Sequence, residues 1–285
     1  MKAALGRLLR GSGWLGLIGG VMLAVLVLIA LFGPLLDLPD PTRGNLRARM
    51  VPPTWSWLAM GAHPLGTDQL GRDILSRIVA GSRITLLIGC SAVLLGGVLG
   101  TVLGLMSGYF GGWFDRILMR IVDIQLALPL MLLALMVVAA LGPSLGNLVI
   151  VLALVSWVRY ARIVRGQVLA VREREFVQSA RAIGASPLRI LLRHILPNVL
   201  TPALVVATLE LARVIVLEAG LSFLGLGVQP PDPSWGRMLA DGRTYISSAW
   251  WIITFPGLAL MLTVLSVNLM GDWLRDYFDP RLGVR

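Results

Sequence analysis

The sequence predicts an all-α polytopic membrane protein with six transmembrane helices, on three observations. Of its 285 residues 56% are hydrophobic and only 14% are charged, whereas roughly 25% of a soluble domain is charged. Mean hydropathy is +0.81. Six apolar stretches recur along the chain, each near the about 20 residues that cross about 30 Å of hydrocarbon. With their connections they fill one membrane domain and leave no room for a separate soluble one.

The first stretch, 15–35, follows the basic residues Lys2, Arg7 and Arg10. It exceeds the roughly 7–15 apolar residues of a cleaved signal and no small-residue cleavage pattern follows, so it reads as a retained span. In the connection after it, Asp68 can cap a short amphipathic helix over 69–80, with Leu70, Ile74 and Ile78 along one face and Gly81 at its end. This divides the chain into an N-terminal part, 1–80, and a five-span core, 81–285.

The core spans fall at 86–106, 117–141, 145–161, 199–220 and 251–273. In the second span of the chain, Gly96, Gly100, Gly104 and Gly108 repeat every four residues. They leave a groove without side chains where another backbone, from this chain or from a partner subunit, can come close. Pro129 in the third span and Pro256 in the sixth mark kinks. The fourth runs into Arg159, Arg162 and Arg165, which can snorkel toward the headgroups. Between the fifth and sixth, Pro230, Pro231 and Pro233 stiffen a loop, and Trp235, Tyr245, Trp250 and Trp251 suit the membrane interface.

Six spans put both termini on one side. Lys2, Arg7 and Arg10, then Arg162, Arg165, Arg172, Arg174, Arg181, Arg189 and Arg193, then Arg275, Arg281 and Arg285 all fall on that side, which makes it the cytoplasm. The expectation is a multi-pass protein of the cell inner (cytoplasmic) membrane with both termini cytoplasmic. The net charge of +10 sits beside apolar spans and not in a basic stripe, which speaks against nucleic acid as a partner. The single cysteine, Cys90, can form no intramolecular disulfide and reads as a small packing residue.

Ionisable groups inside spans cost about 2.5–3.5 kcal/mol each on insertion scales, so Asp123, Glu210, Arg213 and Glu218 require a reason. Glu210 and Arg213, three residues apart, can pair on one helix face. With Asn268 these residues form an intramembrane polar set that either lines a translocation path or holds the bundle together. There is no catalytic residue to nominate: the chain has two histidines, His63 and His194, without metal-ligand company, no G-x-S-x-G, and no phosphate-binding loop.

The connection between the fourth and fifth spans reads as two short helices with a sharp bend. Phe176, Ala180 and Ile183 recur along one face of the first, with Arg174, Gln178 and Arg181 opposite. Gly184 can take a positive φ and close it. Ser186 then caps a second helix with Pro187 at its first position. That helix runs through Leu188, Leu191, Leu192 and Ile195 until Pro197 stops it. An amphipathic hairpin of this kind can rest on lipid headgroups or serve as a knob for a cytoplasmic partner.

The wording of this loop favours the knob. Glu175-Phe-Val-Gln-Ser-Ala-Arg-Ala-Ile-Gly184, followed after nine residues by His194-Ile-Leu-Pro197, resembles the EAA loop of ABC-importer permeases. Gln178 and Ser179 stand where Glu and Ala are usual, and His194 replaces an apolar residue. The spacing from Ala180 through Gly184 to Pro197 is intact. Further segments resemble the dipeptide/oligopeptide/nickel permeases: Gly66-Thr-Asp68-Gln-Leu-Gly71-Arg72-Asp73, Gly108-Tyr-Phe-Gly-Gly-Trp-Phe-Asp115, Glu218-Ala-Gly-Leu-Ser-Phe-Leu-Gly-Leu-Gly227, Pro230-Pro-Asp-Pro-Ser-Trp-Gly236 and Asn268-Leu-Met-Gly-Asp272-Trp-Leu-Arg-Asp276. A single span ahead of a five-span core is similar to the C-type subunit of that family.

This resemblance implies a type I ABC importer permease fold and a heteromeric machine. A homologous B-type permease would share the pathway, two cytoplasmic ATPases would bind the EAA loops, and an external substrate-binding protein would deliver cargo. The coupling loop would then comprise Glu175, Gln178, Ser179, Ala180, Arg181, Ala182, Gly184, Ala185, Ser186 and Pro197. ATP and Mg would belong to the partner ATPases and no cofactor to this chain. Di- or oligopeptides are the implied cargo, with nickel, glutathione or another small solute as the alternative. A secondary transporter, the other reading of such a sequence, usually shows two related halves, and no internal repeat is evident.

Overall fold

The computed structural model describes residues 13–54 and 63–278. Lys2, Arg7, Arg10, Arg281 and Arg285, used above for orientation, lie outside the described residues. Within them the chain is helical: α1 Gly13–Phe32, α2 Ile74–Phe110, α3 Gly112–Ala127, α4 Leu130–Leu141, α5 Leu145–Val171, α6 Glu175–Ala182, α7 Pro187–Phe223, α8 Trp235–Gly242 and α9 Trp251–Phe278. Five of these helices are long and apolar enough to cross a membrane, and the count becomes six when α3 and α4 are taken as one broken span. One end of the bundle carries residues 36–54 and 63–73 and α8 and is the loop face. The other carries α6 and is the hairpin face.

The helices pack around α5, the span with the largest buried share. Its broadest contact is with α2, and α9 joins α1 to α7. The α2–α5 contact follows from glycine. A Cβ on Gly96 would lie 2.8 Å from the Ala153 carbonyl oxygen, one on Gly104 2.7 Å from that of Ala161, and one on Gly108 3.0 Å from that of Arg165. The groove therefore takes the α5 backbone of the same chain, at a separation only hydrogen side chains permit. Ile88 and Ala92 of α2, Ala134 and Val138 of α4, Leu148, Val151 and Leu152 of α5, and Val214 and Leu221 of α7 close the core beneath the loop face.

Several sequence expectations are corrected. The third span does not kink at Pro129 but breaks, with a 97° bend between α3 and α4. The residue before a proline avoids the helical region, and Leu128 is extended at ψ 140°. Gln125 pins the break to α5, donating to the Leu154 carbonyl at 2.6 Å and accepting from the Trp157 indole at 3.1 Å. No separate helix spans 69–80. Asp73, not Asp68, caps α2, taking the Ser76 amide at 2.7 Å. Helix α2 passes through Gly81, where a Cβ would lie 3.0 Å from the Trp235 ring, and does not end there. The expected division after residue 80 thus falls inside α2.

Pro197 likewise stops no helix. A π-helical segment at Ile190–Ile195 widens the backbone just before it, with the Leu196 amide reaching the Leu191 carbonyl. Proline lacks an N–H and crowds the preceding turn, and the wide turn accommodates it, so hairpin and fifth span form one helix, α7. The fourth span extends past Ala161 to Val171. Trp235 and Trp251 are not interfacial but almost fully buried, their indoles donating to the carbonyls of Ile78 and Thr67, both at 3.1 Å. Cys90, read as a packing residue, is exposed.

Candidate functional site

The hairpin is built by local chemistry. At Gly184 φ is +80°, and the Gly184 and Ala185 amides return to the carbonyls of Arg181 and Ala180, both at 3.0 Å, which is the glycine-terminated helix end known as a Schellman motif. Ser186 then caps α7 through the Arg189 amide. Val177 and Ala180 are buried against Val164, Val168 and Val171 of α5 and Ile190, Leu191 and Ile195 of α7. Of the expected face of Phe176, Ala180 and Ile183, only Ala180 turns inward, beside Val177. Phe176, Ile183, Leu188 and Leu192 instead face outward at 40, 86, 66 and 53% exposure. All four of these exposed apolar side chains, the ridge, belong to the one short hairpin.

The nominated loop residues surround that ridge. Glu175 opens α6, and Gln178, Ser179, Arg181, Ala182, Gly184, Ser186 and Pro197 are exposed, with Ala185 half-buried and Ala180 beneath. Gln178 donates to the Glu173 carbonyl at 3.1 Å. Arg181 lies over the Tyr109 ring at 5.9 Å, and Arg172 donates to the Gly108 carbonyl at 2.9 Å. Both contacts fasten the hairpin to the end of α2.

Helix α5 carries a ladder of ion pairs. Arg159, Arg162 and Arg165, expected to snorkel, pair instead with carboxylates: Arg159 with Glu210 at 3.2 Å, Arg162 with Asp123, and Arg165 with Asp115 at 2.7 Å. Asp115 also accepts from the Ser107 hydroxyl. Pairing offsets the cost of charge at this depth. Arg213 reaches Glu210 at 3.4 Å, the pair drawn from sequence, but Arg159 makes it a triad. The triad contains two guanidinium groups and one carboxylate.

Glu218 is completely buried near the loop face, accepting from the Ser222 hydroxyl at 2.7 Å, and that hydroxyl also receives the Val228 amide. The carboxylate thus anchors the turn that leads from α7 toward α8. Asn268 is half-buried on α9 and meets no hydrogen-bond partner among the described residues.

Sequence reading missed a buried charge clamp on the loop face. Asp68 accepts from the Leu70 and Arg72 amides and from the Arg72 side chain at 2.7 Å. Arg77, 2% exposed, lies 3.7 Å from Asp68 and 4.0 Å from Asp241 of α8, which Arg237 also holds at 3.1 Å. His63 pairs with Asp73 at 3.0 Å. The clamp fixes residues 63–73 across α2 onto α8. The only sequence signal for it was the run Asp68 to Asp73, four of whose residues are charged or glycine in a tight turn.

Residues 100–284 match the family described as binding-protein-dependent transport system inner membrane component. The chain is 48% identical over 265 residues to the dipeptide transport system permease protein DppC of Escherichia coli strain K12, covering 93% of this chain and 88% of that one. It is 45% identical over 268 residues to the di/tripeptide transport system permease protein DppC of Pseudomonas aeruginosa, covering 94% and 88%. In fold it resembles a chain of the methionine ABC transporter MetNI in an inward-facing conformation, with a TM-score of 0.58 at 21% identity, over 71% of this chain and 96% of that one. On the family match and the extent of these identities, the chain belongs to the inner-membrane components of binding-protein-dependent transport systems, the permease subunits of ABC importers.

Proposed function

We propose that this subunit forms half of the pathway of an ATP-driven importer of di- or oligopeptides. A homologous permease lines the other half, two cytoplasmic ATPases grip the α6–α7 hairpin, and an external binding protein delivers peptide to the loop face. Both termini and the hairpin lie in the cytoplasm on this reading. ATP and Mg act in the ATPases, and the chain itself catalyses no reaction. The names of its relatives support peptide as cargo. The observation that carries the coupling role is the exposed ridge of Phe176, Ile183, Leu188 and Leu192 on a hairpin whose inner face is fully packed. An apolar patch of this kind marks an interaction site.

The test is reconstitution in liposomes. The chain alone is expected to give no concentrative uptake and no ATP hydrolysis, whereas the set with the second permease, ATPases and binding protein accumulates peptide. Uptake driven by a proton or sodium gradient through the chain alone would replace this reading with a secondary transporter. Accumulation of nickel or glutathione in preference to peptide would replace the cargo. Ile183→Asp changes an 86% exposed side chain, so stability should move by no more than about 0.5 kcal/mol. Co-purification of the ATPases should nonetheless be lost, and its survival would remove the hairpin from the coupling role.

A further inference from the structure

The three arginines of α5 are not equally matched. Arg162 and Arg165 each face one carboxylate, while Glu210 faces both Arg159 and Arg213. At that level one positive charge is left over. Glu210 Oε1 receives both guanidinium groups, and the remaining N–H groups of Arg159 and Arg213 meet no partner among the described residues. A guanidinium offers five donors in a planar fork, so each has donors to give.

The surplus charge is also accessible. The Arg159 side chain is 44% exposed and that of Arg213 25%, above a carboxylate 3% exposed. Arg159, Ile163, Gly166 and Ala170 form an open stripe along one face of α5. A Cβ on Gly166 would meet nothing within 4 Å. Charged groups facing hydrocarbon are expensive and face cavities or partners instead, so this stripe faces away from lipid. Its position suits a path: Arg159 lies about 20 Å along α5 from the loop face.

We infer that Arg159 and Arg213, held by Glu210, form a way-station in the translocation path for the free carboxylate of a passing peptide. This rests on the peptide-import reading above. The two guanidinium groups bind the carboxylate by charge-assisted hydrogen bonds. Glu210 positions both arginines and keeps the net charge at +1, so that binding remains weak enough for release.

The experiment uses the complete transporter in proteoliposomes with ATP inside. Uptake rates are compared for a dipeptide and its C-terminal amide, each supplied with enough binding protein fully loaded that delivery is not limiting. The wild type is expected to move the free acid faster than the amide. Arg159→Gln should slow the free acid about tenfold more than the amide, so the ratio falls toward one, and Arg159→Lys should keep part of the preference. Ile163→Glu sets a carboxylate one turn from Arg159 on the open stripe and should cancel the preference with both guanidinium groups in place. An unchanged ratio in Arg159→Gln or Ile163→Glu, whether or not both rates fall, overturns the way-station. So does loss of the second permease from purified Arg159→Gln complexes, which would make the stripe a subunit contact. A wild-type complex that imports neither compound would instead defeat the peptide-import reading itself.

Discussion

Replacing Gly100 by alanine tests the glycine groove against a control in the neighbouring helix. The added Cβ would sit 2.6 Å from Tyr160 Cβ and 3.0 Å from the Ala161 amide nitrogen, and closer still to the Trp157 carbonyl oxygen. Ordinary carbon contacts lie at about 3.5–4.0 Å, so α2 and α5 must part by about 1 Å, a gap that forfeits a quarter to a half of each lost contact. Two of the three obstructing atoms belong to backbone and cannot rotate away. Overpacking of this kind costs about 1–3 kcal/mol. Gly166→Ala, in α5, meets nothing within 4 Å. Both substitutions gain the same helix propensity, about 1 kcal/mol, so their difference isolates the steric term. Thermal unfolding of the detergent-solubilised variants should place Gly100→Ala below Gly166→Ala by the equivalent of about 1–3 kcal/mol. Equal midpoints, or a more stable Gly100→Ala, would show that the groove is not a close backbone contact.

Three further outcomes follow from the geometry. At Gly184, φ +80° with open space around the Cβ makes the penalty purely conformational: Gly184→Val should impair ATPase coupling, costing about 1–2 kcal/mol or more in the hairpin, while Gly184→Asn, which tolerates the left-handed region, should retain it, as read by peptide-stimulated ATP hydrolysis. Removing Glu210 leaves two guanidinium groups uncompensated, so Glu210→Gln should destabilise by about 3–5 kcal/mol and more than Arg213→Gln, which leaves the Arg159 pair intact; a double-mutant cycle in membrane-expressed protein measures the coupling, and additive effects would contradict the triad. Asp68→Asn removes the nearest carboxylate from the buried Arg72 and Arg77 and leaves them only Asp241, at 3.6 and 4.0 Å, and should expose residues 63–73 to protease added on the loop-face side, whereas Asp232→Asn, outside the clamp, should not.

Much of this protein was legible in its sequence because the relevant physics is local. Apolar length sets where a chain can cross a bilayer: four of the six expected spans lie wholly within single helices of the structure, and the first overruns α1 only by the 3-10 turn Gly33–Leu35. Gly184 and Ser186 were readable for the same reason: a helix end and a cap depend on residues within one turn. Nearest-neighbour chemistry also exposed the Glu210–Arg213 pair, three residues apart.

Tertiary structure decided the rest, because nothing in a period of 3.6 residues names a distant partner. Arg162 finds Asp123 from 39 residues away and Arg165 finds Asp115 from 50. The identity of those carboxylates depends on where α3 lies against α5, and so on the 97° break at Pro129. The buried face of α6 was likewise ambiguous: Phe176 and Val177 are both apolar, and only the position of α5 and of the π-helical start of α7 turns Val177 inward. That choice leaves Phe176 and Ile183 on the surface. The sequence determined that there would be a hairpin and where it would bend, whereas packing against α5 determined which of its side chains a partner can touch.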